Sequence, residues 1–179
     1  GVNPGPMMAA ADQFQIHIKG RGGHGAHPHQ TNDPVVIAAH LITALQTIVS
    51  RNVPAPDAAV LTIAAVNAGR LEAMNVIPHD ARMVGTVRTF NPVVQEQIVT
   101  RMQEVVDGVA ATFKASIELS YQRLFPATIN TPHHAELVVD VATELFGEDK
   151  VVADLVPSMG SEDFSFMLQQ RPGAYFRLG

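Results

Sequence analysis

"FQIHIKG" (residues 14–20) decides the fold. Phe14, Ile16 and Ile18 fall on one side of an extended chain, and Gln15, His17 and Lys19 on the other. Strict alternation of this kind marks a strand with one face buried and one face wet. Such a strand belongs in an antiparallel sheet covered on one side. Further on, "TNDPVVIAAHLITALQTIVSR" (31–51) sets Ile37, Leu41, Ala44, Leu45 and Ile48 on one helical face. Asp33 or Asn32 is placed to cap that helix, and Pro34 suits its first turn. "AAVLTIAAVNAG" (58–69) reads as a second strand and "RLEAMNVIPHD" (70–80) as a loop. "ARMVGTVRTF" (81–90) reads as a third strand, with Arg82, Val84, Thr86 and Arg88 sharing one face. "NPVVQEQIVTRMQEVVDGVAATF" (91–113) repeats the Asn-Pro helix start. Its predicted buried stripe is Val94, Ile98, Met102, Val105, Val109 and Phe113. "SIELSY" (116–121) supplies the fourth strand. This strand–helix–strand–strand–helix–strand order predicts an α+β, ferredoxin-like βαββαβ unit, a four-stranded antiparallel sheet with two helices on one face.

After residue 123 the texture changes. "TPHHAELVVDVATELFG" (131–147) predicts an amphipathic helix with Thr131 as cap, Pro132 in the first turn and Gly147 at its end. "KVVADL" (150–155) and "AYFRLG" (174–179) are strand candidates around a loop and a short helix. Some 55 residues are too few to stand easily alone, and they read as part of an α/β layer. The chain opens on "GVNPGPMMAA" and closes on "GAYFRLG", without the loose polar ends usual in whole domains. It is expected to be a piece of a longer protein.

Composition narrows the possibilities. Of 179 residues, 46% are apolar, enough to bury a core. The formal net charge of -5 offers no basic excess to neutralise phosphates, so no nucleic-acid partner is expected. The absence of cysteine excludes disulfides and thiolate metal sites within these residues, and fits a cytoplasmic protein. No apolar run is expected to reach the length of a membrane span, so no membrane partner is expected. The first residues lack a signal-peptide profile.

Three stretches could carry chemistry. "GRGGHGAHPH" (20–29) packs His24, His27 and His29 among glycines. It is a polar loop, a zinc site, or a neutral imidazole donating to a substrate carbonyl where glycines let the backbone come close. "NVIP" (75–78) is a turn in which Asn75 could act as an amide donor, and Arg88 could clamp a carboxylate through its planar fork. "GSEDF" (160–164) suits a helix start with Ser161 as cap and Glu162 and Asp163 at the positive end of the dipole, or else an anion cradle of backbone amides.

Taken in this order, "GRGGHGAHPHQTNDP", "NVIP" before a strand ending in "RTF", and "GSEDFSFM…PGAYFRLG" resemble one family over essentially the whole chain. It is the metal-dependent amidohydrolase and exopeptidase family of aminoacylases, hippurate hydrolases and hydrolases of indoleacetyl-amino-acid conjugates. The resemblance implies a ferredoxin-like lid, here residues 12–123, that carries a homodimer contact. It implies that residues 1–11 and 124–179 are strips of a partial α/β catalytic domain. It implies cleavage of the amide bond of an N-acyl amino acid by a protein using two divalent ions (zinc, manganese or cobalt). By the same resemblance His24 polarises the scissile carbonyl, and Asn75, Arg88, Gly160 and Ser161 contact substrate, while His27 and His29 shape the loop. The family's metal-ligand motifs are missing from these residues, and Glu162 is not taken as a ligand. No metal is therefore expected in this chain, and the chain alone is expected to be inactive. The rival reading is a noncatalytic ferredoxin-like dimerisation or ligand-sensing module.

Overall fold

The computed structural model describes residues 1–179. Its elements in chain order are β1 (Gly5–Met8), β2 (Ala10–Lys19), β3 (Gly23–His24), α1 (Pro34–Arg51), β4 (Ala59–Ala68), β5 (Val76–Ile77), β6 (Asp80–Thr89), α2 (Pro92–Phe113), β7 (Ser116–Phe125), β8 (Thr128–Asn130), α3 (Pro132–Phe146) and α4 (Phe164–Gln170). The chain forms two compact units. One comprises residues 13–87 and 92–122, and the other residues 1–12, 88–91 and 123–179.

The first unit is built on the four-stranded antiparallel sheet, with strand order β4-β6-β2-β7. That order places the first and third strands of the βαββαβ pattern at the centre and leaves β4 and β7 as edges. The alternation in β2 is realised, with Phe14, Ile16 and Ile18 buried and Gln13, Gln15 and Lys19 exposed. In β6, Ala81, Met83 and Val87 are buried while Arg82 and Val84 are exposed. Both helices pack against this apolar face and each other, and Ile37, Leu41, Leu45 and Ile48 of α1 meet Val94, Ile98, Met102 and Val106 of α2 in one core. The fully buried residue in the last half of α2 is Val106 rather than Val105. Val105, Val109 and Phe113 are only partly buried against the core. The reason is that 3.6 residues per turn makes a stripe drift, so adjacent positions share the packed edge.

Local chemistry sets the helix ends. Asp33 Oδ1 accepts the Val35 amide at 2.9 Å, with Pro34 in the first turn. α1 has 18 residues and a mean hydropathy of 1.3, so by length and composition it could cross a membrane, which corrects the expectation that no run reaches that size. One side of it is nevertheless core, and the other carries exposed His40, Thr43, Gln46, Thr47 and Ser50.

In the second unit β1 pairs antiparallel with β8, Gly5 opposite Asn130 and Met8 opposite Thr128. Asn130 is 1% exposed and fully used. Its Nδ2 donates to the carbonyls of Asn3 and Tyr175, and its Oδ1 accepts the Tyr175 amide at 2.7 Å. Thr131 stands at the N-cap position of α3, but its hydroxyl makes no capping bond and accepts the Gly173 amide at 3.3 Å instead. Gly147 ends α3 with φ +87, a conformation that favours glycine. The row Leu137, Val141 and Leu145 on α3 is exposed.

Two expected strands are absent. Residues 150–155 bracket a single residue, with Val2 donating to the Val152 carbonyl and Leu155 donating to the Val2 carbonyl. Residues 174–179 are held partly by the Asn130 side chain. An extended segment becomes a strand only when a neighbouring backbone continues the ladder, and here the Asn130 side chain and single residues, Val2 for 150–155 and Gly1 for Arg177, take that place.

The sheet sets a sharp steric limit at Gly85, on the core side of β6. A Cβ there would collide with the Thr62 carbonyl oxygen and with the ring of buried Phe14. Gly85→Ala is expected to lower stability by about 1–3 kcal/mol through overpacking. Urea denaturation should show a lower midpoint at unchanged slope, and paired Phe14→Leu should recover part of the loss.

Candidate functional site

The histidine loop is closed at its base and pinned along one side. Arg21 and Asn32 exchange backbone hydrogen bonds at 3.0 and 2.8 Å, which gathers residues 21–32 into a compact loop. The Asn32 side chain ties that base to the Lys114 carbonyl. Pro28–Gln30 forms one turn of 3₁₀ helix. On the other side β3 pairs antiparallel with β5, Gly23 opposite Ile77 and His24 opposite Val76. The Gly25 amide then donates to the Asn75 carbonyl at 2.7 Å. This pairing explains the glycines. A Cβ on Gly22 would collide with the Ile77 carbonyl oxygen and lie 2.7 Å from the Pro78 carbonyl carbon. One on Gly25 would sit 3.3 Å from the Asn75 oxygen.

His24 is exposed, and its tautomer follows from one contact. The Ala26 amide donates to His24 Nδ1 at 3.1 Å. A backbone N–H can only donate, so Nδ1 is the acceptor and the neutral ring carries its proton on Nε2. The Nε2–H is therefore the group His24 can offer a ligand. The ring of His24 lies 5.7 Å from that of His27, and His27 lies 6.0 Å from His29, centroid to centroid. All three are exposed.

The structure thus brings His24 and Asn75 together in the first unit, both exposed, on facing segments. Arg88, Gly160 and Ser161 fall in the second unit. Arg88 is half-buried near the end of β6. The Gly160 amide donates to Ser158 Oγ at 3.1 Å, and its carbonyl accepts the Ala9 amide at 2.9 Å. Ser161 is not the cap of the following helix. Asp163 holds that position, and α4, of only seven residues, starts at Phe164. The Glu162 carbonyl takes the Ser165 hydroxyl at 2.7 Å, while its carboxylate accepts the Asp163 amide at 3.1 Å and the Tyr175 hydroxyl at 3.4 Å.

His79, which the sequence marks only as a turn residue, belongs to this site. It contacts the loop through Gly20 and Gly22. Nothing in the sequence signals this, because the contact spans 57 positions and exists only once β3 and β5 have paired. Asp80 follows it and accepts from His17 Nε2 at 2.9 Å, with Arg82 Nε at 3.6 Å. The hydrogen bond from His17 holds the Asp80 carboxyl below the usual carboxylate range, and Arg82 adds to the effect. Lys19 does the same for Glu118 across the sheet.

With this geometry in place, the chain belongs to the M20 family. Residues 10–114 match the model of the peptidase dimerisation domain of that family. Among its relatives, the N-acetyl-L-cysteine deacetylase of Bacillus subtilis is 38% identical over 179 residues, covering 100% of this chain and 42% of that protein. The hippurate hydrolase of Campylobacter jejuni is 37% identical over 174 residues, covering 97% of this chain and 45% of that protein. The crystal structure of the Bacillus subtilis YXEP protein, a dinuclear metal binding peptidase of the M20 family, matches with a TM-score of 0.73 at 32% identity, over 97% of this chain and 42% of that one. The chain spans less than half the length of these relatives. No three His, Asp or Glu side chains are grouped here so that they could hold a metal ion. The residues present do not fit a dinuclear centre.

Because folding lowers the Asp80 pKa, the interaction stabilises the protein at pH above the ordinary carboxylate value. That contribution is lost as pH falls through the depressed value. Asp80→Asn should therefore lower the urea midpoint near pH 6, and the difference should close as pH falls through the depressed value. Urea midpoints of both proteins across this range check the convergence.

Proposed function

We propose that the full-length protein carrying this chain hydrolyses the amide bond of N-acyl amino acids. The observation that carries the proposal is the fixed Nε2–H donor of His24, presented on a glycine-lined loop beside Asn75 in a chain of the M20 family. When water adds to an amide carbonyl, negative charge grows on the carbonyl oxygen. A donor already aimed at that oxygen lowers the barrier without reorganising during the reaction. His24 fills this role, and Asn75 offers its side-chain amide to a polar substrate group. Arg88 and the turn at Gly160 and Ser161 hold the free carboxylate. The relatives named for deacetylation and hippurate hydrolysis support this substrate class. Divalent metals supplied by residues outside these 179 would activate the water, and the chain alone does not turn over.

The same reading takes residues 1–11 and 124–179 as strips of the catalytic domain. The exposed apolar row of α3 and the more than twofold greater length of the relatives support it. The protein is proposed to be a cytoplasmic homodimer that pairs through the sheet unit. There, edge strand β4 exposes Val66 and offers unpaired backbone groups.

Hippurate and N-acetyl amino acids assayed with the full-length protein test the activity. His24→Ala is expected to lower kcat by roughly a hundredfold to a thousandfold, the usual cost of one oxyanion donor, with a much milder effect from His27→Ala. Equal losses would remove His24 from its role. Arg88→Lys keeps the charge but loses the fork. It should lower kcat/KM for substrates with a free carboxylate and spare the matching carboxamides, and equal loss on both would assign Arg88 to the fold.

A further inference from the structure

We infer that His79 is a positioning residue for His24, holding the histidine loop through a ring nitrogen that accepts the Gly22 amide. The inference rests on the role proposed for His24. The pairing of β3 with β5 runs from Gly25–Asn75 to Gly23–Ile77 and then meets Pro78. Pro78 has no N–H to donate to the loop, and the next contacts to the loop come from His79. Upstream of that point the loop still presents the amides of Gly20 and Gly22. His79 takes both. Its carbonyl accepts the Gly20 amide at 2.9 Å, and its Nδ1 accepts the Gly22 amide at 3.2 Å.

The approach is close because Gly22 has no side chain, since a Cβ there would collide with the Ile77 and Pro78 carbonyls. The donor is a backbone amide, so His79 holds its proton on Nε2, the same tautomer as His24. Two histidines therefore use Nδ1 in the same way, one within the loop on Ala26 and one from outside on Gly22. Gly22 lies two residues before His24. Freeing its amide removes the side-chain anchor immediately upstream of the donor, while the Gly25–Asn75 bond remains downstream. The result is a less well-aimed Nε2–H rather than a lost site. A loss in kcat with KM little changed is the signature of such a change, because the affected interaction forms in the transition state.

The test uses the full-length protein, labelled with 15N-glycine and 15N-histidine, and two substitutions. His79→Asn leaves an acceptor oxygen close to the Nδ1 position, and His79→Leu leaves none. In His79→Leu the Gly22 amide should exchange with solvent at least several-fold faster. The kcat for N-acyl amino acids should fall roughly threefold to tenfold, about the worth of one hydrogen bond, with KM within twofold. His79→Asn should restore both Gly22 protection and kcat. If Gly22 exchange is the same in all three proteins, or if His79→Asn is as impaired as His79→Leu, the inference is overturned. If Gly22 responds as stated while neither His79→Leu nor His24→Ala changes kcat, the anchor stands and the catalytic role of His24 falls.

Discussion

The first unit depends on covering one face of one sheet. Phe14, Ile16 and Ile18 on β2 and Met83 and Val87 on β6 are each at most 2% exposed. Each such side chain is worth about 1.5–3 kcal/mol when withdrawn from water, and only α1 and α2 supply the apolar surface to withdraw it. The two helices must therefore lie side by side on that face, which forces both crossovers to the same side and yields the order β4-β6-β2-β7. The packing is tight enough that Phe14 occupies the space a side chain at position 85 would need.

With the sheet fixed, the segments entering and leaving it are fixed as well. β2 ends at Lys19 and delivers the glycine-rich loop, while the segment leading into β6 at Asp80 delivers Asn75 to His79. The central position of both strands lets these segments meet and form the β3–β5 pair. A ring on such a pair is held by backbone hydrogen bonds rather than by its own packing, and His24 stays exposed. The ion pairs on the wet face of the sheet, His17 with Asp80 and Lys19 with Glu118, decorate this frame without defining it.

Much of this was legible beforehand. Alternation in β2 and β6, the Pro-started helices and the core stripe of α1 are local patterns, and each appears where its periodicity placed it. The stripe of α2 was legible except at its drift to Val106. Thr131 and Ser161 show the limit of capping rules: a hydroxyl at a helix start caps only if no better donor reaches it, and for Thr131 the Gly173 amide does. The strand candidates at 150–155 and 174–179 failed because apolar, extended composition specifies a tendency, not a partner. In the candidate site, His24 and Asn75 stood out by residue type and by family resemblance, whereas His79 did not.

The sequence by itself determined which faces of the sheet strands and of α1 must be buried, where the Pro-started helices begin, and the family resemblance. Those are consequences of local periodicity, backbone sterics and motif order, readable without knowing what lies across space. Only the tertiary structure decided that the loop at 20–25 lies along 75–79 and that His79 completes the anchoring. These properties are created by hydrogen bonds between residues far apart in the chain. A hydrogen bond constrains a pair of groups only after burial elsewhere has brought them within about 3 Å.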